Sequence, residues 1–447
     1  MKPVKMCFLL LIIIPICSGQ DKAVLLDSLF NTMHLRSQFN GNILIAEKGK
    51  IIYTKCYGFA DRENHVPLNP NSLFNVGSVS KAFTGVAIQQ LEEKNKLKIS
   101  DKVIDYLPGF PYPDITIHHL LIHAGGLPAD YGLLKNWDNS KIATNDDVLS
   151  ALYTQKPDLI FTPGARSEYN NLGYIILSEI VEKVTNMKFR DYLDKNIFKP
   201  ANMIRTNIYN AEEINEINNV ARGYLFYPFT GKYEEAIRVH EFSSSYAVSG
   251  FQGDGNIYST ITDLNNFIQA LSDGKLITEE SLKKTFMKHI HAEMAGTPDY
   301  GNSYGYGWTI INAPIDMVHR GGGLPGYVSN IIWNLSEDRI IIYLINDYLS
   351  YLSYHNQIPQ AIGYIMTQNN LMIPKLIASV ELSKIVVTST LKELNEKISE
   401  IMLNPEIYEV DENGLKFLMI KLQELGLKDK ADLLKSMGLN PGINPDP

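Results

Sequence analysis

Phe74-Asn75-Val76-Gly77-Ser78-Val79-Ser80-Lys81-Ala82-Phe83-Thr84 is the stretch on which the reading of this chain turns. Within it, Ser78-Val79-Ser80-Lys81 sets a hydroxyl at the start of a predicted helix and an ammonium three residues later. Residues three apart lie on one helical face, so a serine nucleophile and a candidate base can touch. Asn75 and Gly77 allow a tight approach to that helix, and Ala82, Val86, Ala87 and Leu91 give it an apolar stripe. The serine then lies at the positive end of a buried helix, where an oxyanion is stabilised. The tetrapeptide alone is weak, because Ser-x-x-Lys recurs at Ser272 to Lys275, Ser281 to Lys284 and Ser389 to Lys392, all of which read as helix or turn surface. Context separates Ser78 from them.

Upstream, Ala23 to Phe39 reads as an amphipathic helix. Gly41 to Glu47 and Ile51 to Gly58 read as strands joined by the turn Lys48-Gly49-Lys50. A second group of strands lies far downstream, at Asp316 to His319, Tyr327 to Leu335 and Arg339 to Asn346, the last two joined by Ser336-Glu337-Asp338. Between them, residues 79 to about 300 are mostly helix and loop, with helices near 79–94, 171–187 and 262–272. The fold class is therefore α+β: one antiparallel sheet flanked by helices, with an inserted mostly helical domain and a cleft where the two meet. From about residue 366 the chain changes to charged helical segments, Leu382 to Leu403 and Glu412 to Met437. The last of these divides into Asn413 to Leu425 and Lys428 to Met437, a single helical hairpin too small for a solenoid core. Residues 21–365 are read as the catalytic domain and 366–447 as a helical extension packed against it, with a protein partner for those helices left open.

A second motif stands at Pro163-Gly164-Ala165-Arg166-Ser167-Glu168-Tyr169-Asn170-Asn171-Leu172-Gly173-Tyr174, where Tyr169 and Asn171 end a loop before an apolar helix. Tyr-x-Asn also occurs at Tyr354 to Asn356, so placement is again what counts. A phenol whose pKa is lowered by nearby cations can shuttle a proton between serine and leaving group, and a carboxamide can hold a substrate amide. Together with Leu120-Leu121-Ile122-His123-Ala124-Gly125-Gly126-Leu127-Pro128, Gly305-Tyr306-Gly307-Trp308 and Gly321 to Tyr327, these strings make residues 24 to 365 resemble the serine β-lactamase-like hydrolases of the class C type. That family includes class C β-lactamases, DD-carboxypeptidases, D-aminopeptidases and esterases. The resemblance implies that Ser78 is the acylated nucleophile, Lys81 and Tyr169 the proton-handling pair, Asn171 the contact for the acyl-side amide, and His123-Ala124-Gly125 structural.

The third motif of that family is Lys-Thr-Gly or His-x-Gly on the strand beside the nucleophile. Here the string is Val318-His319-Arg320-Gly321-Gly322-Gly323-Leu324-Pro325-Gly326-Tyr327. Counting from the histidine gives His319-Arg320-Gly321, whereas counting back from Pro325-Gly326 puts Arg320 in the cationic position. Strand alternation lets one of the two side chains face the cleft, and His319 is preferred. In either register a backbone N–H near Gly322 pairs with that of Ser78 as an oxyanion hole. The missing Lys-Thr-Gly weakens the case for an efficient β-lactamase. Arg320 would bind a substrate carboxylate by a bidentate contact, and His319 would do so in a pH-dependent way.

The remaining composition narrows the class. Lys2 and Lys5, the apolar run Met6 to Cys17 and then Ser18-Gly19-Gln20 read as a signal peptide, its apolar run of 12 residues well short of the roughly 20 that span a bilayer. Export to the periplasm or medium follows, with no stable membrane insertion. A lipoprotein reading at Cys17 is disfavoured by the bulky Ile16. Cys56 is then the one cysteine of the exported chain, so no intramolecular disulfide forms, and it reads as a buried thiol. The formal charge of -8 offers no basic footprint for nucleic acid. Neither metal nor organic cofactor is required. The sequence thus predicts a serine hydrolase acting through an acyl-enzyme on small amides or esters, D-amino-acid-containing peptides foremost. Esterase or β-lactamase activity of the same family is the alternative, and a non-catalytic binder of β-lactams or cell-wall peptides is the rival of another class. Selectivity is expected in the loops Asp130 to Asp147 and Tyr224 to Ser245.

Overall fold

The computed structural model describes residues 21–128, 130–227, 232–239, 243–292, 301–311, 316–347 and 354–437; the predicted leader, 1–20, lies outside them. Eight strands form the main sheet: β1 (Gly41–Glu47), β2 (Lys50–Tyr57), β3 (Ile290–His291), β4 (Ser303–Tyr304), β5 (Thr309–Ile311), β6 (Met317–Leu324), β7 (Tyr327–Asn334) and β8 (Arg339–Ile345). Their order is β3-β4-β5-β6-β7-β8-β1-β2, antiparallel throughout, with Gly41 opposite Ile345 where the two ends of the catalytic region join. Lys48 and Gly49 both take positive φ, +49° and +73°, the twist that a two-residue hairpin requires.

Alternation divides the sheet between two cores. Ile340, Ile342 and Leu344 face the larger one, and Ile341, Tyr343 and Ile345 face the smaller. The smaller core is covered by α1 (Lys22–Leu35), whose first turn is capped by Asp21 accepting from the Ala23 amide at 3.0 Å. That helix buries Leu26, Leu29, Phe30 and Met33 completely, each worth about 1.5–3 kcal/mol of transfer free energy. Over the larger core lie α2 (Ser80–Glu93), α3 (Leu172–Thr185) and α4 (Ile261–Ser272). The sequence suggests an apolar stripe on α2, yet the helix is buried on every side from Ser80 to Leu91. Three of its polar side chains find acceptors inside: Thr84 Oγ1 donates to the Gly253 carbonyl at 2.6 Å, Gln89 Nε2 to Thr285 Oγ1 at 2.7 Å and Gln90 Nε2 to the Leu276 carbonyl at 2.9 Å.

Two further expectations need adjusting. The strand expected to stop at His319 continues through the glycines to Leu324, because a close approach, described below, needs glycine there. The boundary placed at residue 366 falls inside α5 (Ile358–Gln368), whose Ile358, Ile362, Ile365 and Met366 belong to the smaller core. Beyond it, α6 (Leu391–Leu403), α7 (Glu412–Glu424) and α8 (Lys428–Lys435) share a core of their own built from Leu382, Leu394, Ile398, Leu415, Leu418, Leu422 and Leu434. Thr390 and Glu393 form a capping box at the start of α6. Among the described residues no helix is long and apolar enough to cross a membrane.

Candidate active site

Gly77 has φ +49°, a conformation open to glycine, and its amide is held by Asn75 Oδ1 at 2.9 Å. One 3-10 turn, Gly77–Val79, then runs into α2 and leaves Ser78 half-buried at the helix start. One turn on, Lys81 is wholly buried. Its ammonium donates to Ser78 Oγ at 3.2 Å, Asn171 Oδ1 at 2.7 Å and the Asp254 carbonyl at 2.9 Å. A lysine has three protons to give, and all three have acceptors, which offsets the cost of taking the charge out of water. From the loop before α3, the Tyr169 hydroxyl donates to Ser78 Oγ at 2.6 Å. Arg320, buried on β6, donates Nε to the Ser78 carbonyl at 2.7 Å and Nη2 to the Tyr169 hydroxyl at 3.0 Å.

Burial alone would push the Tyr169 phenol up, but the adjacent charges of Lys81 and then Arg320 outweigh it and hold the pKa below its ordinary value. Once the phenol has given up its own proton, which the lowered pKa favours, the phenolate can take the Ser78 proton as Oγ attacks a carbonyl carbon and return it to the leaving group. Gly322 lies against the nucleophile's backbone: a Cβ there would come within 2.1 Å of the Val76 carbonyl oxygen and 2.8 Å of the Ser78 nitrogen. Any side chain at this position would push the Val76 carbonyl and the Ser78 amide out of place, so glycine is what lets the strand approach the nucleophile's backbone.

The structure places Arg320 where the histidine was preferred. Val318, Arg320 and Gly322 share the face of β6 toward Ser78, and Val318 belongs to the larger core. His319 therefore points to the opposite face. Its ring lies near Asn330 and His355, and burial first, then the charge of Arg320, lowers its pKa to about 4. It is not a cleft residue. Two predictions follow from this phase. Arg320→Leu removes one of the two cations that hold the Tyr169 pKa down and should lower kcat/KM by about 10²–10³-fold in steady-state assays. His319→Asn should leave kcat/KM nearly unchanged and alter acid stability instead. Between about pH 6.5 and 4 the unfolded chain binds a proton at His319 that the folded chain refuses, so wild-type stability falls as pH falls through this window. The variant should lose a part of that slope, on the order of 2 kcal/mol, in urea unfolding measured at pH 7 and pH 4.

Sequence reading finds one of two supporting groups and misses the other. Asp254, in Gly253-Asp254-Gly255, supplies the carbonyl that completes the Lys81 shell, and its buried carboxyl, raised by burial, lies close enough to feel the ammonium. His123, read as structural, packs its ring 4.6 Å from that of Tyr169 and 4.7 Å from that of Tyr304. Burial and the charges of Arg320 and Lys81 hold its pKa well below the ordinary value, so it is a neutral wall for the phenol. Cys56 lies away from these groups, its thiol raised by burial to about 11.

With this geometry in place, the comparison with known proteins is direct. Residues 36–356 match the beta-lactamase family model, and the chain belongs to that family of serine hydrolases. It is 38% identical over 331 residues to penicillin-binding protein 4* of Bacillus subtilis, covering 73% of this chain and 72% of that one. To the teichoic acid D-alanine hydrolase of Staphylococcus aureus it is 30% identical over 312 residues, 69% of this chain and 70% of that one. The crystal structure of a penicillin-binding protein from Bacillus halodurans superposes with a TM-score of 0.65 at 27% identity, covering 75% of this chain and 98% of the other. The protein is an enzyme that works through an acyl-enzyme.

Proposed function

We propose that this enzyme is exported and that its substrates are small D-amino-acid-containing amides or esters, the acyl group passing to Ser78 and then to water. The observation that carries the reading is the pair of hydrogen bonds on Ser78 Oγ, 2.6 Å from Tyr169 and 3.2 Å from Lys81. The D-amino-acid class is supported by one of the relatives just described, the teichoic acid D-alanine hydrolase. Export rests on the leader-like residues 1–20.

Within that class, one feature favours esters and amides that lack a terminal carboxylate. Arg320 is only 3% exposed, and two of its donors are committed to Ser78 and Tyr169, so its charge serves the phenol before it serves a ligand. The test is to assay D-alanyl esters and amides, peptides ending in D-alanyl-D-alanine, the L-counterparts and a simple acetyl ester, each with wild type and Ser78→Ala. Ser78-dependent turnover with D preferred over L is the expected result. Equal turnover of D and L forms, or turnover of the simple ester alone, overturns the substrate class.

A further inference from the structure

A cavity of about 610 Å³ opens beside the nucleophile, lined among others by Asn75, Tyr258, Leu324 and Tyr327 on one side and by Glu235 and Ala236 on the other. Two of its lining residues stand close to the nucleophile: Asn75 lies three positions before Ser78, and Leu324 Cδ2 is 3.2 Å from where a Cβ on Gly77 would be. Its far wall is made by Arg222, Gly223, Glu235, Ala236 and Ile237, the residues at the two feet of the hairpin of Tyr224–Tyr227 and Lys232–Glu235. The root of this wall rests on the turn that joins β6 to β7, since the Cβ of Ala236 and the Cα of Gly223 lie 3.0 and 2.8 Å from a Cβ built on Gly326. The Tyr327 hydroxyl donates to the Ala221 carbonyl at 2.8 Å, tying the same two segments together. Ion pairs set the rim, with Arg222 between Asp61 at 3.2 Å and Glu235 at 3.1 Å.

The reverse side of the wall is apolar, and what covers it comes from the other end of the chain. Leu225, Ala236 and Val239 form a small cluster against which Phe417 of α7 packs. The inner edge of the hairpin is held by polar contacts, the Tyr224 amide donating to the Asn346 carbonyl at 2.9 Å and Arg62 lying 3.9 Å from the Tyr233 ring while paired to Asp347 at 2.5 Å. Phe417 supplies apolar support from outside. It is not among the residues that line the cavity.

We infer that the C-terminal extension positions the wall of the substrate cleft, Phe417 holding Leu225 and residues 235–239 beside the place where the part of the acyl group beyond the reacting carbonyl must lie. The inference rests on the reading of Ser78 as the nucleophile for D-amino-acid substrates. Phe417 is a positioning residue: it acts through the hairpin and governs how well an extended acyl group is held, while the acylation chemistry is left to the groups around Ser78. A small acyl group does not reach the wall and should not sense it.

The experiment compares full-length wild type, Phe417→Ala and Phe417→Leu on two esters with one leaving group, p-nitrophenyl acetate and the p-nitrophenyl ester of an N-acetylated tripeptide ending in D-alanine. For Phe417→Ala the expected result is a KM for the peptidyl ester raised about 10-fold with kcat within about 2-fold, the acetate kinetics within about 2-fold of wild type, and recovery of most of the KM in Phe417→Leu. Equal losses on both esters would reduce Phe417 to a fold-supporting residue, and no change on either would sever the extension from the cleft; both overturn the inference. The L-alanine ester separates this result from the substrate reading. If wild type turns over D and L peptidyl esters equally, the substrate class fails, while the inference is still decided by the KM of Phe417→Ala on either. If neither peptidyl ester is turned over, the cleft accepts no extended acyl group and the inference falls.

Discussion

Ser78→Ala should abolish turnover of every ester and amide the enzyme accepts, lowering kcat/KM by about 10⁴-fold or more, or about 5.5 kcal/mol of transition-state stabilisation. Covalent catalysis has no residual route once Oγ is gone, because Lys81 is wholly buried and Tyr169 is engaged with Arg320. The fold should survive. The lost oxygen accepts from Tyr169 and Lys81; the lysine keeps Asn171 and Asp254, while the phenol still accepts from Arg320 but loses the acceptor of its own O–H, so the stability cost should be about 1–3 kcal/mol. Thermal unfolding beside steady-state kinetics separates the two effects.

Lys81→Met should be nearly as damaging, about 10³–10⁴-fold in kcat/KM, and for a reason that leaves a second signature. Methionine fills the channel at similar length without the charge. The Tyr169 phenol, pushed up by burial and held down by Lys81 and Arg320, then loses the larger of its two cationic supports. Its pKa rises, so the acid limb of the remaining kcat/KM profile should move to higher pH. Asn171 Oδ1 and the Asp254 carbonyl lose their donor, a cost of about 1–3 kcal/mol each that is offset by no longer burying an ammonium. A profile that keeps its acid limb in place would show that the phenol does not owe its poise to Lys81.

Much of this site was legible because local rules fixed it. Three-residue spacing on a helix puts Lys81 under Ser78, and a loop ending at an apolar helix brings Tyr169 and Asn171 to the same point. The strands joined by short turns were equally readable, since Ile340 to Ile345 and Asn42 to Ala46 carry side chains that suit both faces of a buried sheet. What failed was phase. A strand interrupted by Gly321, Gly322 and Gly323 carries no alternation to say whether His319 or Arg320 looks inward; that is settled by Val318 joining the larger core. The short strands Ile290–His291, Ser303–Tyr304 and Thr309–Ile311 are too brief to show a period of two. The role of Asp254 rests on a backbone carbonyl, which no residue type announces, and the link from Phe417 to Leu225 joins positions 192 residues apart, beyond the reach of local pattern.

The central claim is that Ser78 carries the acyl group. Its most direct test is the intact mass of enzyme acid-quenched at successive times during turnover of p-nitrophenyl N-acetyl-D-alaninate, followed by peptide mapping. The account predicts one acyl group per chain, located in the peptide that contains Phe74 to Thr84, appearing before steady state and absent from Ser78→Ala. An acyl group on another residue, or one that forms equally in Ser78→Ala, would contradict it.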